Sequence, residues 1–508
     1  MKRKIALFSV NELKGVVEFA SILIKNGWSI VATDLACNLL RENNIPADSI
    51  ADFTGCPEKY KFPPTLHPRM EAALTDNDFS ERIELVYDIT YGPKSGLDVG
   101  GNALLALAVK GRRVPVTSYA AMKSVTEAIS KCRDVSQEMR DILISDAAEK
   151  IADYYNLVAE SVSAGKLQYL RIKRYYDLMN GENPYQKAEI WGMKDNEDFT
   201  LPGYQLISDN KPCYTNMADL DSVTETVTKL SCAFRLQYSK QPYITVAAKH
   251  GNACGIGVDW ESGEASIEKA LWGNPLAIWG GEVIVNFKLS SKYSAALISS
   301  DKRGKLCGKT NWMLDVISAP EIEDGARLIL AGCKNTKLFI NKFLYSPELR
   351  KQAWDYRFVR GGVIRQSIAD FILDISALNW GAKSLPENLD DIIISWAAAF
   401  TSFHGGNEIA LSRERQLLSC TGGPSTVDAA ETAVSRAIKL HGDLFGASFA
   451  ADAFFPFTDA PLVLVDSGII SGVAPAGGRN QEKIQDFFSG KNIRVGFIPE
   501  QFRGFCRH

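Results

Sequence analysis

Residues 244–257 read ITVAAKHGNACGIG. An apolar run of β-branched and small residues leads directly into Lys249 and His250, and Gly251 and Gly255 then interrupt the pattern. This pattern predicts a buried strand that delivers two titratable groups to a glycine-rich turn. Histidine titrates near neutrality, and the pKa of a desolvated lysine shifts readily, so the pair suits acid–base catalysis. The alternative is an ordinary surface strand end.

Composition narrows the class of protein. The chain has 508 residues, 46% of them apolar and 23% charged, which is typical of a globular protein of about three domains. The net charge of -3 gives no electrostatic basis for binding nucleic acid or an anionic membrane. No apolar run approaches the ~20 residues of a membrane-spanning helix. We read MKRKIALFSV as a first strand rather than a signal peptide, and expect a cytoplasmic protein.

The cysteines and histidines do not form a metal-binding motif in the sequence. None of the ten cysteines is spaced as C-x-x-C, and the five histidines include no H-E-x-x-H pattern. Scattered cysteines in a long chain indicate reduced thiols. We therefore expect no metal.

Alternating strand and helix patterns predict an α/β protein in three parts. In residues 1–130, KIALFSV and WSIVATD flank a helix that Asn11 is positioned to cap, which predicts a parallel βαβ unit. Residues 131–178 have helical spacing and are predicted to be a helical connector. Residues 179–508 alternate again. The predicted strands there are QPYITVAAKH, GEVIVNF, LDVISA, FVRGGVIRQ, ASFAADAFF and IRVGFI, with SRERQLLSC in a hairpin and TVDAAETAVSRAIKLHGDLFG as a helix.

Four further segments are suited to building a site. Trp279 precedes two glycines, which allows backbone to approach a planar ligand, although a tight turn with a core tryptophan explains it equally. The amide of Asn407 is suited to donate to a developing oxyanion, or to a turn. Asp452 lies among aromatic residues and needs a partner if buried. Residues 475–478 precede a helix as Pro-Ala-Gly-Gly, a candidate cradle for an anion. His404 either lines the site or lies in a solvated loop.

Taken in order, these segments resemble one family. The family pattern K-H-x-N-P-x-G matches residues 249–255, D-P-x-S-x-F-G-G matches 274–281, and Y-R-x-V-x-G-G matches 356–362. S-N-A-I-x-L matches 406–411 and S-D-A-F-F-P-F matches 451–457. In the N-terminal part, DFTG, TLHP and LDVGGNALLALAVK also correspond. The chain is similar over its whole length to the bifunctional AICAR transformylase/IMP cyclohydrolase family of purine biosynthesis.

The resemblance implies a fold, a reaction and an assembly. The fold would be α/β, with an N-terminal methylglyoxal-synthase-like parallel-sheet domain and two cytidine-deaminase-like α/β subdomains without zinc. The reaction would be formyl transfer from 10-formyltetrahydrofolate to an amine. In it, His250 takes the amine proton, Lys249 supports the charge of the intermediate, and Asn407 holds the formyl group. The protein would be a homodimer with transformylase sites across the interface.

The resemblance also assigns binding residues. Those expected to bind the folate are Trp279, Gly280, Gly281, Asp452, Pro475, Ala476 and Gly477. Those expected to bind the acceptor are Asn183, Tyr185, Asn216, Phe455 and Arg503.

The chain departs from the family where the nucleotide binds. In the family run R-Y-G-x-N-P-H-Q, the phosphate-binding arginine is Met179 here and the histidine is Tyr185. In G-A-G-Q-x-S-R, which matches residues 421–426 and is one residue shorter here, the arginine is Thr426. Losing two such contacts costs several kcal/mol of phosphate affinity, at ~1.5–3 each. Arg503 still matches a third family arginine.

The cyclohydrolase motifs have changed further. Lys14 is displaced within the first motif, Asp34 stands where phosphate-cradling glycines occur, and the segment 62–68 lacks its lysine. Three residues still match cyclohydrolase positions, namely Tyr91, Asp98 and Lys110. We expect this site to be inactive.

Three functions fit the sequence. The first is a 10-formyltetrahydrofolate-dependent formyltransferase whose acceptor is an amine other than AICAR, in specialised metabolism. The second is an AICAR transformylase that binds phosphate through Arg503, Lys173 or Arg174. The third is a non-catalytic folate- or metabolite-binding paralogue, against which the presence of Lys249 and His250 counts.

Overall fold

The computed structural model describes residues 4–56, 64–93, 96–193, 199–351, 354–380 and 384–504. Phe62 and Pro63 of the altered cyclohydrolase segment lie outside these ranges. The chain divides after Leu170 into two compact units, and this division falls inside the predicted connector. No helix in the described ranges has both the length and the apolar character needed to span a bilayer.

The first unit is built on a parallel sheet. Its strands are β1 (Lys4–Val10), β2 (Trp28–Ala32), β3 (Asp48–Ser49), β4 (Ile83–Ile89) and β5 (Val114–Val116). Its helices are α1 (Val16–Lys25), α2 (Asp34–Glu42), α3 (Ile50–Thr54), α4 (Pro68–Thr75), α5 (Val99–Lys110), α6 (Tyr119–Cys132) and α7 (Gln137–Val162), with a 3₁₀ turn at Pro64–Leu66. The strand order is β3-β2-β1-β4-β5, and every pairing is parallel.

Both faces of this sheet are buried, as its strand patterns require. Alternate residues of β1 enter different clusters, with Ala6 and Phe8 on one face and Ile5 and Leu7 on the other. Such two-sided burial is typical of parallel sheets covered by helices, and it confirms the predicted βαβ unit. The predicted cap was wrong. Helix α1 begins after Gly15, whose φ of 73° turns the chain into the helix without a side-chain cap, so Asn11 lies outside it.

The second unit contains one large mixed sheet and two hairpins. Its first strands are β6 (Ile172–Asp177), β7 (Glu189–Met193), β8 (Gln205–Leu206), β9 (Tyr243–Lys249), β10 (Asn252–Asp259), β11 (Gly281–Val285), β12 (Leu314–Ala319) and β13 (Lys337–Ile340). Its later strands are β14 (Trp354–Val359), β15 (Gly362–Ser367), β16 (Ile409–Arg413), β17 (Gln416–Thr421), β18 (Ser448–Ala451), β19 (Ser471–Pro475) and β20 (Arg494–Ile498). Within the described residues, eleven strands share the order β20-β19-β18-β16-β17-β10-β9-β11-β12-β13-β8.

Helices cover both faces of the large sheet. They are α8 (Tyr214–Tyr238), α9 (Gly263–Gly273), α10 (Ser291–Ala296), α11 (Asp301–Cys307), α12 (Asp324–Ala331), α13 (Leu389–Thr401), α14 (Thr426–His441), α15 (Asp459–Asp466) and α16 (Gln481–Gly490). Short 3₁₀ turns lie at Leu201–Gly203, Lys342–Tyr345, Ile375–Ala377 and Glu500–Phe502. Helices α8 and α13 pack on one face, and α9 and α14 pack on the other.

Strand predictions in this unit hold, with two differences. FVRGGVIRQ is not one strand but the end of β14, the turn and most of β15, because Gly361, at φ 74°, reverses the chain. Strand β18 ends at Ala451 and excludes the aromatic residues that follow. The predicted hairpin around SRERQLLSC is confirmed, and both Glu414 and Arg415 have positive φ at its turn. The two sequence halves meet where β10 pairs with β17, so one sheet runs through both.

Candidate functional site

The predicted strand of residues 244–257 forms as β9 and β10, and its turn carries the Lys249–His250 pair. The interior of β9 is fully buried, whereas Lys249 is half-buried and His250 is exposed. His250 has a φ of 52° and Gly251 a φ of 71°, so the turn places the imidazole outside the sheet. The backbone of His250 donates a hydrogen bond to the Asp219 carboxylate on α8.

Lys249 is oriented by the next strand of the sheet. Its Nζ donates to the carbonyl oxygen of Gly280. Gly280 has a φ of 67°, and a Cβ at this position would lie 2.9 Å from Lys249 Nζ. The glycine predicted to approach a ligand therefore approaches the candidate catalytic lysine. Trp279 packs against other cations, with Lys309 Nζ 4.4 Å from its ring centroid and Arg303 at 5.2 Å.

One buried and one half-buried carboxyl group adjoin the Lys249–His250 turn. Glu282 on β11 is 2% exposed and pairs in register with Ala248, the residue before Lys249. Burial, and then the neighbouring Asp219, raise the pKa of Glu282 to about 9. A side-chain hydrogen bond joins the two carboxyl groups, and burial also raises the pKa of Asp219. Burial therefore favours the protonated form of Glu282, which donates to Asp219.

A cavity of about 180 Å³ opens beside the turn. It is lined by Lys249, His250, Asn252, Ala253, Cys254, Asn274, Ala277, His404, Leu418, Ser419, Cys420 and Arg436. Asn252 connects the two sides of this cavity. Its side-chain oxygen accepts from the backbone N–H of Phe403 at 2.5 Å, and its Nδ2 donates to the carbonyl of His250 at 3.1 Å. The loop that contains His404 is thereby held against the Lys249–His250 turn.

Asn407 lies in the same loop but does not line the cavity. Its φ is 49°, and its Nδ2 donates to the carbonyl oxygen of Gly423 at 3.0 Å. In this conformation Asn407 joins two loops, and its role in holding a formyl group stays a prediction.

The residues predicted to bind folate divide into separate groups. Asp452 is 2% exposed, and burial, followed by the charge of Glu408, raises the pKa of Asp452 to about 8. Pro475 ends β19, and beyond it Ala476 N–H donates to Ile498 at 2.7 Å and Gly477 N–H donates to Gln481 Oε1 at 3.0 Å. These backbone donors are therefore already engaged within the fold.

The acceptor residues are likewise spread over different environments. Phe455 is 3% exposed and packs against Phe449 and Phe488 in the core. Asn216 is buried, and its Oδ1 accepts from Cys213 N–H at the start of α8. Tyr185, in contrast, is 84% exposed. The role of these residues in binding one acceptor stays a prediction.

The segment around Asn183 and the C-terminal arginine are both at the surface. Both amide nitrogens of Asn183, backbone and side-chain, donate to Gln186 Oε1, at 2.9 and 3.0 Å. Arg503 lies 3.8 Å from the Glu500 carboxylate and 5.8 Å from the ring centroid of Phe454. Its guanidinium is half exposed and open to a further anion.

The segment that carried the second family arginine now begins a helix. Thr426 is the first residue of α14, and Ser425 caps it by accepting from Asp428 N–H at 3.2 Å. The Asp428 carboxylate accepts from the Ser425 hydroxyl at 2.7 Å. A negative charge thus already occupies the positive end of this helix, which disfavours a bound phosphate.

In the first unit, only part of the cyclohydrolase set comes together. Tyr91 N–H donates to Asp98 Oδ2 at 3.2 Å, while Asp98 Oδ1 accepts from Gly101 N–H at 2.8 Å and caps α5. Lys110 ends the same 12-residue helix, about 18 Å away along its axis, and pairs with Glu71 at 3.4 Å. Lys14 Nζ lies 4.7 Å from the Tyr119 ring centroid.

Sequence reasoning missed four residues around the cavity, namely Asp219, Glu282, Glu408 and Cys420. Two of them carried a usable pattern. Glu282 is the second residue of the apolar strand GEVIV, and Glu408 directly precedes the strand IALSR, so both are acids near buried strand starts. Asp452 was singled out from the sequence by the same kind of argument.

Comparison with known proteins identifies the family. A family model described as the AICARFT/IMPCHase bienzyme matches residues 112–436, more than half of the chain. The bifunctional purine biosynthesis protein PurH of Acidithiobacillus ferrooxidans is 27% identical over 94% of this chain and 95% of its own length. The PurH protein of Aquifex aeolicus is 26% identical over 97% of this chain and 98% of its own length. The crystal structure of ForH is 22% identical over 32% of this chain and 98% of that chain, with a TM-score of 0.29, too low to establish a shared fold. The chain belongs to the AICARFT/IMPCHase bienzyme family.

Proposed function

We propose that this protein transfers a formyl group from 10-formyltetrahydrofolate to an amine other than AICAR. The observation that carries the proposal is the Lys249–His250 turn, which opens on a cavity while two of the family's phosphate-binding arginines are replaced. Family membership supports formyl-transfer chemistry in general. The proposed donor follows from the family, and the proposed acceptor follows from the replaced arginines.

Each candidate catalytic residue has a role that its surroundings support. The imidazole of His250 is exposed at the turn and takes the proton of the attacking amine. The ammonium of Lys249, oriented by the Gly280 carbonyl, stabilises negative charge on the formyl oxygen as the carbon becomes tetrahedral. The proton then passes to the departing folate nitrogen. Asn252 fixes the turn that bears both groups.

The nucleotide side of the site favours an acceptor without a ribose phosphate. Met179 is 62% exposed in place of one arginine, and Thr426 begins a helix whose first turn holds Asp428. Of the cations proposed as substitutes, Arg174 is already engaged by the carboxylates of Asp177 and Glu189. Phosphate affinity should therefore be several kcal/mol weaker, at ~1.5–3 for each lost charged hydrogen bond.

Single-turnover formyl transfer tests this function. Purified protein and 10-formyltetrahydrofolate would be mixed with AICAR or with a panel of unphosphorylated aromatic and aliphatic amines, for wild type and His250→Ala. We expect no saturable transfer to AICAR and His250-dependent transfer to another amine. Transfer to no amine while folate still binds would replace this proposal with a binding role.

The same assay distinguishes a second candidate, an AICAR transformylase with new phosphate ligands. The observation in its favour is Arg436, which lines the cavity beside Lys249 and His250. Saturable transfer to AICAR that is lost in both His250→Ala and Arg436→Ala would establish this function instead.

We further propose that the first unit has lost IMP cyclohydrolase activity. Asp34 begins α2, where the family places phosphate-cradling glycines, and Lys110 and Asp98 lie at opposite ends of α5. An assay of IMP formation from formylated AICAR should give no turnover above background. Turnover that disappears in Asp98→Asn would contradict this.

A further inference from the structure

His404, Glu408 and Cys420 bring three different donor atoms together beside the cavity. One imidazole nitrogen, one carboxylate oxygen and the thiol sulfur all lie within 4.8 Å of one another. His404 Nδ1 is 2.7 Å from Glu408 Oε2, and His404 backbone N–H donates to the other carboxylate oxygen at 2.5 Å. The contacts hold the imidazole and the carboxylate in one fixed arrangement.

The sheet places the side chains of Glu408 and Cys420 on one face. Strands β16 and β17 pair Ala410 with Cys420, and β16 and β18 pair Ala410 with Ala450. Because side chains alternate along a strand, Glu408 lies on the same face as Ala410 and Cys420. A Cβ on Gly422, the next position on that face, would collide with the Glu408 carboxylate. Small neighbours therefore leave room for this cluster.

Two of the three donors are buried, whereas His404 lies at the surface. Glu408 is 1% exposed and Cys420 is 4% exposed. Asp452, which follows β18 and donates its backbone N–H to the backbone carbonyl of Glu408 at 3.2 Å, is 2% exposed. Asp452 Oδ1 has no hydrogen-bond partner among the described residues. A buried polar oxygen without a hydrogen-bond partner is costly, and coordination to a metal ion is one way to satisfy it.

We propose that His404, Glu408 and Cys420 form a binding site for one divalent transition-metal ion of the zinc class. Nitrogen, oxygen and thiolate sulfur in one cluster match the ligands of zinc, whereas magnesium and calcium take oxygen ligands. The site goes beyond the proposed function, and it departs from the sequence-based expectation of no metal. It adjoins the catalytic cavity, since His404 and Cys420 also line that cavity.

Metal titration of the full-length protein tests this site. Protein freed of metal with a chelator would be titrated with Zn²⁺ by calorimetry, and with Co²⁺ by absorption spectroscopy. We expect one equivalent per chain and a thiolate-to-cobalt charge-transfer band. In Cys420→Ser the band should vanish. Zinc affinity should fall by more than about 100-fold, because losing a residue that only supports a metal ligand typically costs about 10- to 100-fold.

Two further variants separate a specific site from general thiol binding. Cys254→Ser removes the other thiol of the same cavity and should leave zinc affinity and the cobalt band unchanged. His404→Asn changes a loop residue, so it tests the site even if Cys420→Ser fails to fold, and it should weaken binding more than 100-fold. Asp452 is left intact because it is predicted to bind folate.

The metal titrations test the proposed metal site independently of formyl transfer. Stoichiometric binding lost in both Cys420→Ser and His404→Asn supports the site, whichever amine is the acceptor. Substoichiometric binding by wild type, or equal losses in Cys254→Ser and Cys420→Ser, would overturn it.

Discussion

A hydrogen bond joins the carboxyl groups of Glu282 and Asp219 beside the Lys249–His250 turn. Such a bond requires that one carboxyl group keep its proton. Burial supplies the reason, since Glu282 is 2% exposed on β11 and loses hydration if it ionises. The two carboxyl groups therefore share a proton next to the candidate catalytic residues Lys249 and His250.

The free energy of unfolding should fall as pH rises, because of the Glu282–Asp219 pair. The pKa of Glu282 is about 9 in the folded protein and 4.5 ordinarily, so the folded state holds a proton that the unfolded state releases between these values. The free energy of unfolding therefore decreases from about pH 4.5 to about pH 9. Glu282→Gln should reduce this slope in urea denaturation. Glu261→Gln, at an exposed glutamate of the same unit, is the control and should leave the slope unchanged.

Gly280→Ala should displace Lys249 and reduce turnover about 100-fold, the effect expected of a misplacement of about 1 Å. A Cβ there would lie 2.9 Å from Lys249 Nζ. The positive φ adds a stability cost of roughly 1–2 kcal/mol. Gly361→Ala is the matched control, because Gly361 has a φ of 74° and no atom lies within 4 Å of its added Cβ. Equal turnover for the two variants would mean that Gly280 does not act through Lys249.

Asn252→Ala should release the loop that carries His404. It removes the bonds to Phe403 N–H and to the His250 carbonyl, each worth about 1 kcal/mol. Amide hydrogen exchange should accelerate in residues 403–408, and formyl transfer should slow. Asn210→Ala removes a bond to the Lys334 carbonyl elsewhere in the unit and serves as the control. Unchanged exchange in 403–408 would show that Asn252 does not hold the loop.

Restoring the arginines should recover affinity for a phosphorylated acceptor. Met179→Arg with Thr426→Arg should tighten AICAR binding at least about tenfold, since each charged hydrogen bond is worth ~1.5–3 kcal/mol. The unphosphorylated riboside should show no gain, which isolates the phosphate contribution. Leu328→Arg, at a 78% exposed position on α12, controls for the addition of a surface arginine. Calorimetry that finds equal gains for nucleotide and riboside would contradict the assignment of these positions.

Local patterns in the sequence predicted much of the fold, because they report neighbours along the chain. The apolar run before Lys249 is a strand, KIALFSV and WSIVATD are parallel neighbours, and SRERQLLSC turns as a hairpin. The helix start at Gly15 was missed because crowding by Tyr119 and Met122, about a hundred residues later, helps to set it. The chain reversal at Gly361 was missed because one apolar run covers both sides of it.

The sequence by itself determined the α/β class, the family and the position of Lys249 and His250 at a strand end. Only the tertiary structure decided which strands are neighbours, because pairings such as Gly257 with Gln416 join residues far apart in the chain. That order places Cys420, Glu408 and Asp452 around one end of the sheet, and it buries Glu282 against Asp219. Burial and proximity across strands set the protonation of these groups, and neither is encoded in any single segment.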